Sequence, residues 1–282
     1  KVEEGKPVTR VYPQQVTDLF EGEQLVLVGR YKKAGRAKVT ISGHVGGKQQ
    51  KFDFPADLVA TSGDQSYAFV EKLWAMRRIG QIIDELDLRG KNDELIKELV
   101  QLSTRHGILT PYTSFLADET ASPGDLARDG FDRRGGERRA AELLGRLEEA
   151  GGKAGFVQRD LKKQLKEAQL PRPATAPAEK GEASGEGLAL HDIDKDEMVR
   201  VDAVRVVGNK TLYRRGNVWY AYDAVKQDLQ KLRTEITVVK RFSEEYFKLV
   251  REASPANQKI LARQKADEEV VIEAADAVYH VK

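Results

Sequence analysis

Cysteine is missing altogether from these 282 residues. That excludes a disulfide framework, a thiol nucleophile and any cysteine-ligated metal centre. Long hydrophobic runs are missing too, with nothing approaching the ~18 consecutive apolar residues of a membrane-spanning helix. Neither sign of charge dominates. Lys and Arg number 47 against 45 Asp and Glu, a formal charge of +2, so no overall field draws the chain to nucleic acid or a membrane surface. Sequences that carry chemistry are lacking as well: no GxSxG elbow, Walker loop, GxGxxG turn or HExxH pair occurs. The reading is noncatalytic. No secretory leader is visible, but the opening KVEEGKPVTRVYPQQ reads as mid-protein. A fragment or processed form is therefore expected, and missing targeting signals carry no weight.

What is present is apolar residue at 40%, enough to bury a real core, in a pattern that changes period along the chain. Residues 1–58 read as β. Leu25–Val28 is a continuous apolar run, expected of a strand buried on both faces. Ala37, Val39 and Ile41 alternate with polar residues, as do Phe52 and Phe54, predicting half-buried strands turned at Gly35 and at Gly46-Gly47. This predicts a meander of about three strands, with these apolar side chains as its core.

Helical spacing follows. Val70, Leu73, Trp74, Ile79, Ile82, Ile83 and Leu86 form one stripe, with Asp64 or Ser66 as its cap and Gly90 in the left-handed position after it. Asn92 is placed to cap a second helix whose apolar face is Leu95, Leu99 and Leu102, with Ile96 and Val100 beside them, and which Gly107 ends. Ile108–Leu116 is predicted as a strand, broken by Pro111 and anchored by Tyr112 and Phe115.

Composition shifts at Ala117. Glu137–Ala150 and Phe156–Gln169 read as charged helices with thin leucine faces, and PRPATAPAEKGEASGEG (171–187) reads as a flexible linker. A last module alternates strands (Met198–Val207, Thr211–Tyr222, Thr234–Lys240, Val270–Glu273, Ala277–Val281) with a helix capped by Ser243 that turns Tyr246, Phe247 and Val250 inward. The expected fold class is α+β: an antiparallel β-rich domain with a helical pair (1–119), a charged helical and disordered linker (120–195), and a small α+β module (196–282).

His191-Asp192-Ile193-Asp194-Lys195-Asp196 resembles the start of a calcium loop, but Glu197 replaces the glycine of the turn and Ala203 the closing glutamate. A solvated acidic patch outweighs it. His44, His106, His191 and His280 lack metal-ligand spacing, and His106 reads as a last-turn complement to the helix dipole. Arg133-Arg134 and Arg138-Arg139, with Phe131 nearby, interleave with Asp125, Asp129, Asp132 and Glu137, which favours salt-bridged solvation over phosphate binding. Trp219, Tyr220 and Tyr222 read as strand core on one face rather than a ligand platform. Glu244-Glu245 and Glu268-Glu269 are adjacent, so each pair diverges and is a poor acid/base couple. No catalytic, cofactor-binding or metal-ligating residue is assigned.

At VYPQQVTDLFEGEQLVLVGRY, KLWAMRRIGQIIDEL and HGILTPYTSFLADE, residues 11–119 resemble the region after the A domain in VIT/von Willebrand factor A proteins, the inter-α-trypsin inhibitor heavy-chain-like family, bacterial members in particular. A weaker likeness runs through VGNKTLYRRGNVWYAYD and RFSEEYFKLV. The resemblance implies part of a hybrid domain built around an upstream A domain. It also implies a role in adhesion or protein–protein interaction at the cell surface or outside the cell, with protein or matrix-like partners. An intracellular scaffold of the same family is the alternative, and an enzyme with a novel site in 196–282 is the third reading. The family's divalent cation belongs to a DxSxS site in the A domain; no DxSxS occurs here, nor does a DPHF-type attachment sequence. A sheet lacking its partner strands should expose an apolar face and associate.

Overall fold

The computed structural model describes residues 8–16, 18–62, 67–117, 135–149, 152–169, 188–192, 197–225 and 236–282. The fold is α+β. Strands β1 (Val8–Tyr12) and β2 (Val28–Tyr31) form one two-stranded ribbon, β3 (Gly35–Val45) and β4 (Lys48–Leu58) a second. They do not join into the expected meander. The run Leu25–Val28 enters a strand only at Val28, and Leu27 is exposed. Arg77 donates to the Val26 carbonyl at 2.6 Å, and Val26 packs against the helical core, so this segment is tied to the helices.

Helices α1 (Ala68–Arg89) and α2 (Asp93–His106) match the periodicity. Leu73, Trp74, Ile79, Ile82, Ile83 and Leu86 of α1 pack with Ile96, Leu99 and Val100 of α2, each fully buried side chain contributing ~1.5–3 kcal/mol. Val70, at the end of the stripe, is exposed. The Asn92 side chain accepts from the Leu95 amide, as its position implied, whereas Asp64 and Ser66 lie outside the described residues. Gly90 has φ +76 but an extended ψ of −167, so it ends α1 without the left-handed geometry expected of it.

The two charged helices, α3 (Gly135–Glu149) and α4 (Gly152–Glu167), join this core rather than standing apart from it. Ala140, Leu144, Leu161 and Leu165 are buried among α1 and α2. Gly80 of α1 permits the crossing: a Cβ there would lie 2.8 Å from Lys166 Cγ. Lys162 and Lys166 then reach Asp84 at 3.1 and 2.8 Å, and Lys162 also reaches Asp87 at 2.9 Å. The proposed linker at 171–187 lies outside the described residues.

Ile108–Leu116 is not a strand. The chain runs irregularly to Thr110 and then coils as a 3-10 turn, Pro111–Ala117. Pro111 supplies no ladder donor, and the Thr113 amide and hydroxyl both turn back to Thr110 (2.9 Å from the amide to the Thr110 carbonyl, 3.0 Å between hydroxyls). Tyr112 and Leu116 are buried all the same, and Phe115 is partly buried, so the anchoring residues were legible although the conformation was not.

The C-terminal part begins with a hairpin of β5 (Leu188–Asp192) and β6 (Glu197–Val201). The expected single strand Met198–Val207 breaks at Asp202-Ala203, after which β7 (Val204–Val207), β8 (Lys210–Arg215) and β9 (Val218–Ala221) form a meander through turns at Gly208-Asn209 and Gly216-Asn217. A short helix, α5 (Tyr222–Val225), follows, then β10 (Ile236–Val239), α6 (Glu244–Glu252), α7 (Pro255–Arg263), β11 (Glu269–Ala274) and β12 (Ala277–Val281). The sheet order is β10-β12-β11-β9-β8-β7. It is mixed, not wholly antiparallel, because β10 runs parallel to β12 and β11 parallel to β9. Ser243 caps α6 by accepting from the Tyr246 amide at 3.2 Å. Tyr246 and Leu249 turn inward, while Phe247 is exposed, correcting the inward face expected for it.

Candidate functional site

The largest departure from the expected core lies in β3 and β4. The two-residue connection Gly46-Gly47 has φ +56 and +77, the sign pattern of a type I′ turn, and sets a register unbroken over all eleven residues of each strand. Val39 lies opposite Phe54 and Ile41 opposite Phe52, and successive side chains alternate faces. One face of the ribbon therefore carries Ala37, Val39, Ile41, Phe52, Phe54 and Ala56. The other carries Arg36, Lys38, Thr40, Ser42 and His44 against Gln49, Lys51, Asp53, Pro55 and Asp57.

That apolar face has no cover among the described residues. Val39, Ile41, Phe52 and Phe54 are 45%, 42%, 45% and 49% exposed. The sequence pattern is right for a half-buried strand; the second layer that would bury it is not among the described residues. On the polar face Asp53 accepts from Lys38 at 3.2 Å and from Thr40 at 2.6 Å, which secures the pairing without hiding either face. At its base the ribbon is tied by Tyr31, whose hydroxyl donates to the Val59 carbonyl at 2.6 Å.

The turn also decides which backbone groups are free. A two-residue loop makes Val45 and Lys48 a hydrogen-bonded pair, and alternation then places Val39, Ile41, Phe52 and Phe54 in hydrogen-bonded positions. Arg36, Lys38, Thr40, Ser42 and His44 turn their N–H and C=O groups outward. Pro55 stands at an outward position of β4, where its missing N–H interrupts that edge.

The buried polar groups elsewhere hold the fold together. Arg77 donates to the carbonyls of Tyr12, Val26 and Ala168, joining three segments to α1. Arg78 forms a two-pronged pair with Glu98 at 3.1 and 2.6 Å, and Arg10 also bonds that carboxylate. Burial alone would raise the Glu98 carboxyl, but the Arg78 and Arg10 guanidiniums outweigh it and hold it below the usual range. Glu268 behaves alike: burial opposes ionisation, and Arg205 with the Lys265 amide prevails. Arg205 also stacks 4.0 Å from the Trp219 ring centroid, which places Trp219 in the core as its strand position implied. Tyr220 and Tyr222 are half-buried.

The other sequence candidates stay dispersed. His44 lies exposed on the polar face of the hairpin, and His280 faces Glu269 at 2.6 Å. His106 is buried and neutral. Burial, aided by the positive charges of Arg105 and Lys72, pushes it down to about 4, so it does not serve the helix dipole as a cation. His191 and Asp192 are in β5, with Asp192 opposite Glu197; Ile193, Asp194, Lys195 and Asp196 lie outside the described residues, as do Arg133, Arg134 and Phe131. Arg138 is exposed and Arg139 half-buried. Glu268 and Glu269 diverge as their adjacency implied, one to Arg205 and the other to Asn217 and His280. Among the described residues no group of three His, Asp or Glu could hold a metal ion, and no helix is long and apolar enough to cross a membrane. No protein-family model, curated protein or solved structure matches the chain.

Proposed function

We propose that this chain is a noncatalytic recognition module of the VIT/von Willebrand factor A type, supporting adhesion or protein–protein interaction at the cell surface or outside the cell. One observation carries the reading. Two phenylalanines and two β-branched residues stand together on an open ribbon face, tethered to a well-packed body, where solvent exposure is costly and a protein partner would relieve it. The resemblance of residues 11–119 to the region after an A domain supports the family and the compartment in this reading.

The test is site-specific photo-crosslinking in the source cells, with a benzophenone side chain placed at Phe54 and, as control, at Lys51 on the opposite face. A discrete protein adduct from position 54, reduced by Val39→Thr with Ile41→Thr, is expected. Equal labelling from both positions would overturn the reading. Adducts that resist protease added outside intact cells would favour an intracellular scaffold.

A further inference from the structure

We propose that the outer edge of β3 is a strand acceptor, taking an extended segment of a partner protein whose side chains alternate apolar and acidic. The inference rests on the recognition role and specifies its chemistry. Five alternate residues of β3, Arg36 to His44, present outward N–H and C=O groups, and none of these has a backbone partner among the described residues. A strand added there gains main-chain hydrogen bonds, and its alternate side chains extend the row of Val39 and Ile41. The edge of β4 is the poorer acceptor because Pro55 removes a donor near its middle.

Charge selects the other half of the partner's pattern. The polar row of β3 contains Arg36, Lys38 and His44, with hydroxyls at Thr40 and Ser42 between them; Asp53 of β4 already takes Lys38 and Thr40, so the ends of the row, Arg36 above all, carry the charge offered to an incoming strand. Acidic residues on the incoming strand would sit beside this row, whereas basic ones would be repelled. A second copy of the chain fits less well. Edge-to-edge pairing of β3 with β3 sets one basic row against another and leaves both apolar faces open. Face-to-face stacking of Val39, Ile41, Phe52 and Phe54 would bury on the order of 350 Å² per chain, well below the ~800 Å² per partner of a stable interface.

The probe is a blocked peptide of about nine residues alternating valine and glutamate, added to the whole chain and followed by amide hydrogen exchange. Protection of the Arg36, Lys38, Thr40, Ser42 and His44 amides by about tenfold or more is expected, with Val39 and Ile41 little changed because they already bond to β4. Methylating the peptide amides that face β3, or replacing its glutamates with lysine, should weaken binding by at least about tenfold. Ser42→Pro should do the same while leaving the hairpin intact, since that amide makes no bond to β4. No binding at millimolar peptide, binding without protection of these five amides, or equal binding of the methylated peptide would each overturn the acceptor. If the acceptor fails while crosslinking from position 54 still depends on Val39 and Ile41, only the edge assignment falls. If crosslinking is indifferent to them, the recognition role falls with it.

Discussion

Arg77 does the work of a small structural hub. It is 4% exposed, and its guanidinium bonds the carbonyls of Tyr12 (2.9 Å), Val26 (2.6 Å) and Ala168 (2.9 Å), three groups far apart in the chain. Burial lowers its pKa, yet an arginine stays charged at any physiological pH. Arg77→Leu is expected to cost about 3–5 kcal/mol, because the acceptors would be left buried without a donor. Arg77→Lys should recover only part of this, since one ammonium cannot span the planar fan of acceptors. Urea unfolding midpoints of the three proteins check the order. From sequence, Arg77 is one charged residue beside another on a helix whose apolar stripe passes on either side. Its role depends on loops 51 to 91 residues away in the chain, so local pattern had no means of revealing it.

Among the elements, the ends of the two long helices show how one residue type serves different purposes. Both Gly90 and Gly107 have positive φ, +76 and +61, and both stop a helix. Nothing lies within 4 Å of a Cβ built at Gly90, whereas one built at Gly107 would meet Thr211 Cγ2 and Val206 Cγ2 at 2.9 Å each. Gly90→Ala is therefore expected to cost about 1–3 kcal/mol from backbone conformation alone, because φ +76 with ψ −167 lies where only glycine enters readily. Gly107→Ala adds to an αL cost of about 1–2 kcal/mol an overpacking cost of about 1–3 kcal/mol, since it also wedges α2 away from the C-terminal sheet. Urea denaturation of the two variants tests this, and a Gly107→Ala loss no greater than about 1–2 kcal/mol would mean that the approach is looser than the structure indicates. The helix stops were legible because glycine punctuates periodic sequence. The close approach at Gly107 was not, because it involves strands about a hundred residues later.

Across the whole molecule, the helical layer and the mixed sheet meet at the end of α2. Tyr213 donates to the Thr104 carbonyl at 2.6 Å and Thr211 to the Arg105 carbonyl at 2.9 Å, while Leu109 and Leu116 pack with Val201, Val204 and Tyr213. His106 is buried in this joint, and its position gives the molecule a pH dependence. Its folded value, about 4, lies below the ordinary 6.5, so the unfolded chain binds the proton more tightly. Stability is complete above pH 6.5 and falls by about 1.4 kcal/mol per pH unit as the pH drops toward 4. His106→Gln should flatten that slope, which thermal melts between pH 4.5 and 7 would reveal. Further loss at lower pH is expected from Asp84, Glu98 and Glu268, whose depressed carboxyls stabilise the fold until they are protonated.

Local rules alone were enough to place α1 and α2, their asparagine and glycine boundaries, the Gly46-Gly47 turn and the alternation of Val39, Ile41, Phe52 and Phe54. Each follows from side-chain period, capping and backbone sterics, which act within a few residues. Tertiary structure decided what those faces meet. It brought α3 and α4 into the core, diverted Leu25–Leu27 from a sheet, coiled Pro111–Ala117 and made the C-terminal sheet mixed. It also left the β3–β4 face uncovered among the described residues. An apolar stripe states only that burial is favourable; whether a second layer of the chain supplies it depends on long-range packing, and none of the described residues supplies it here.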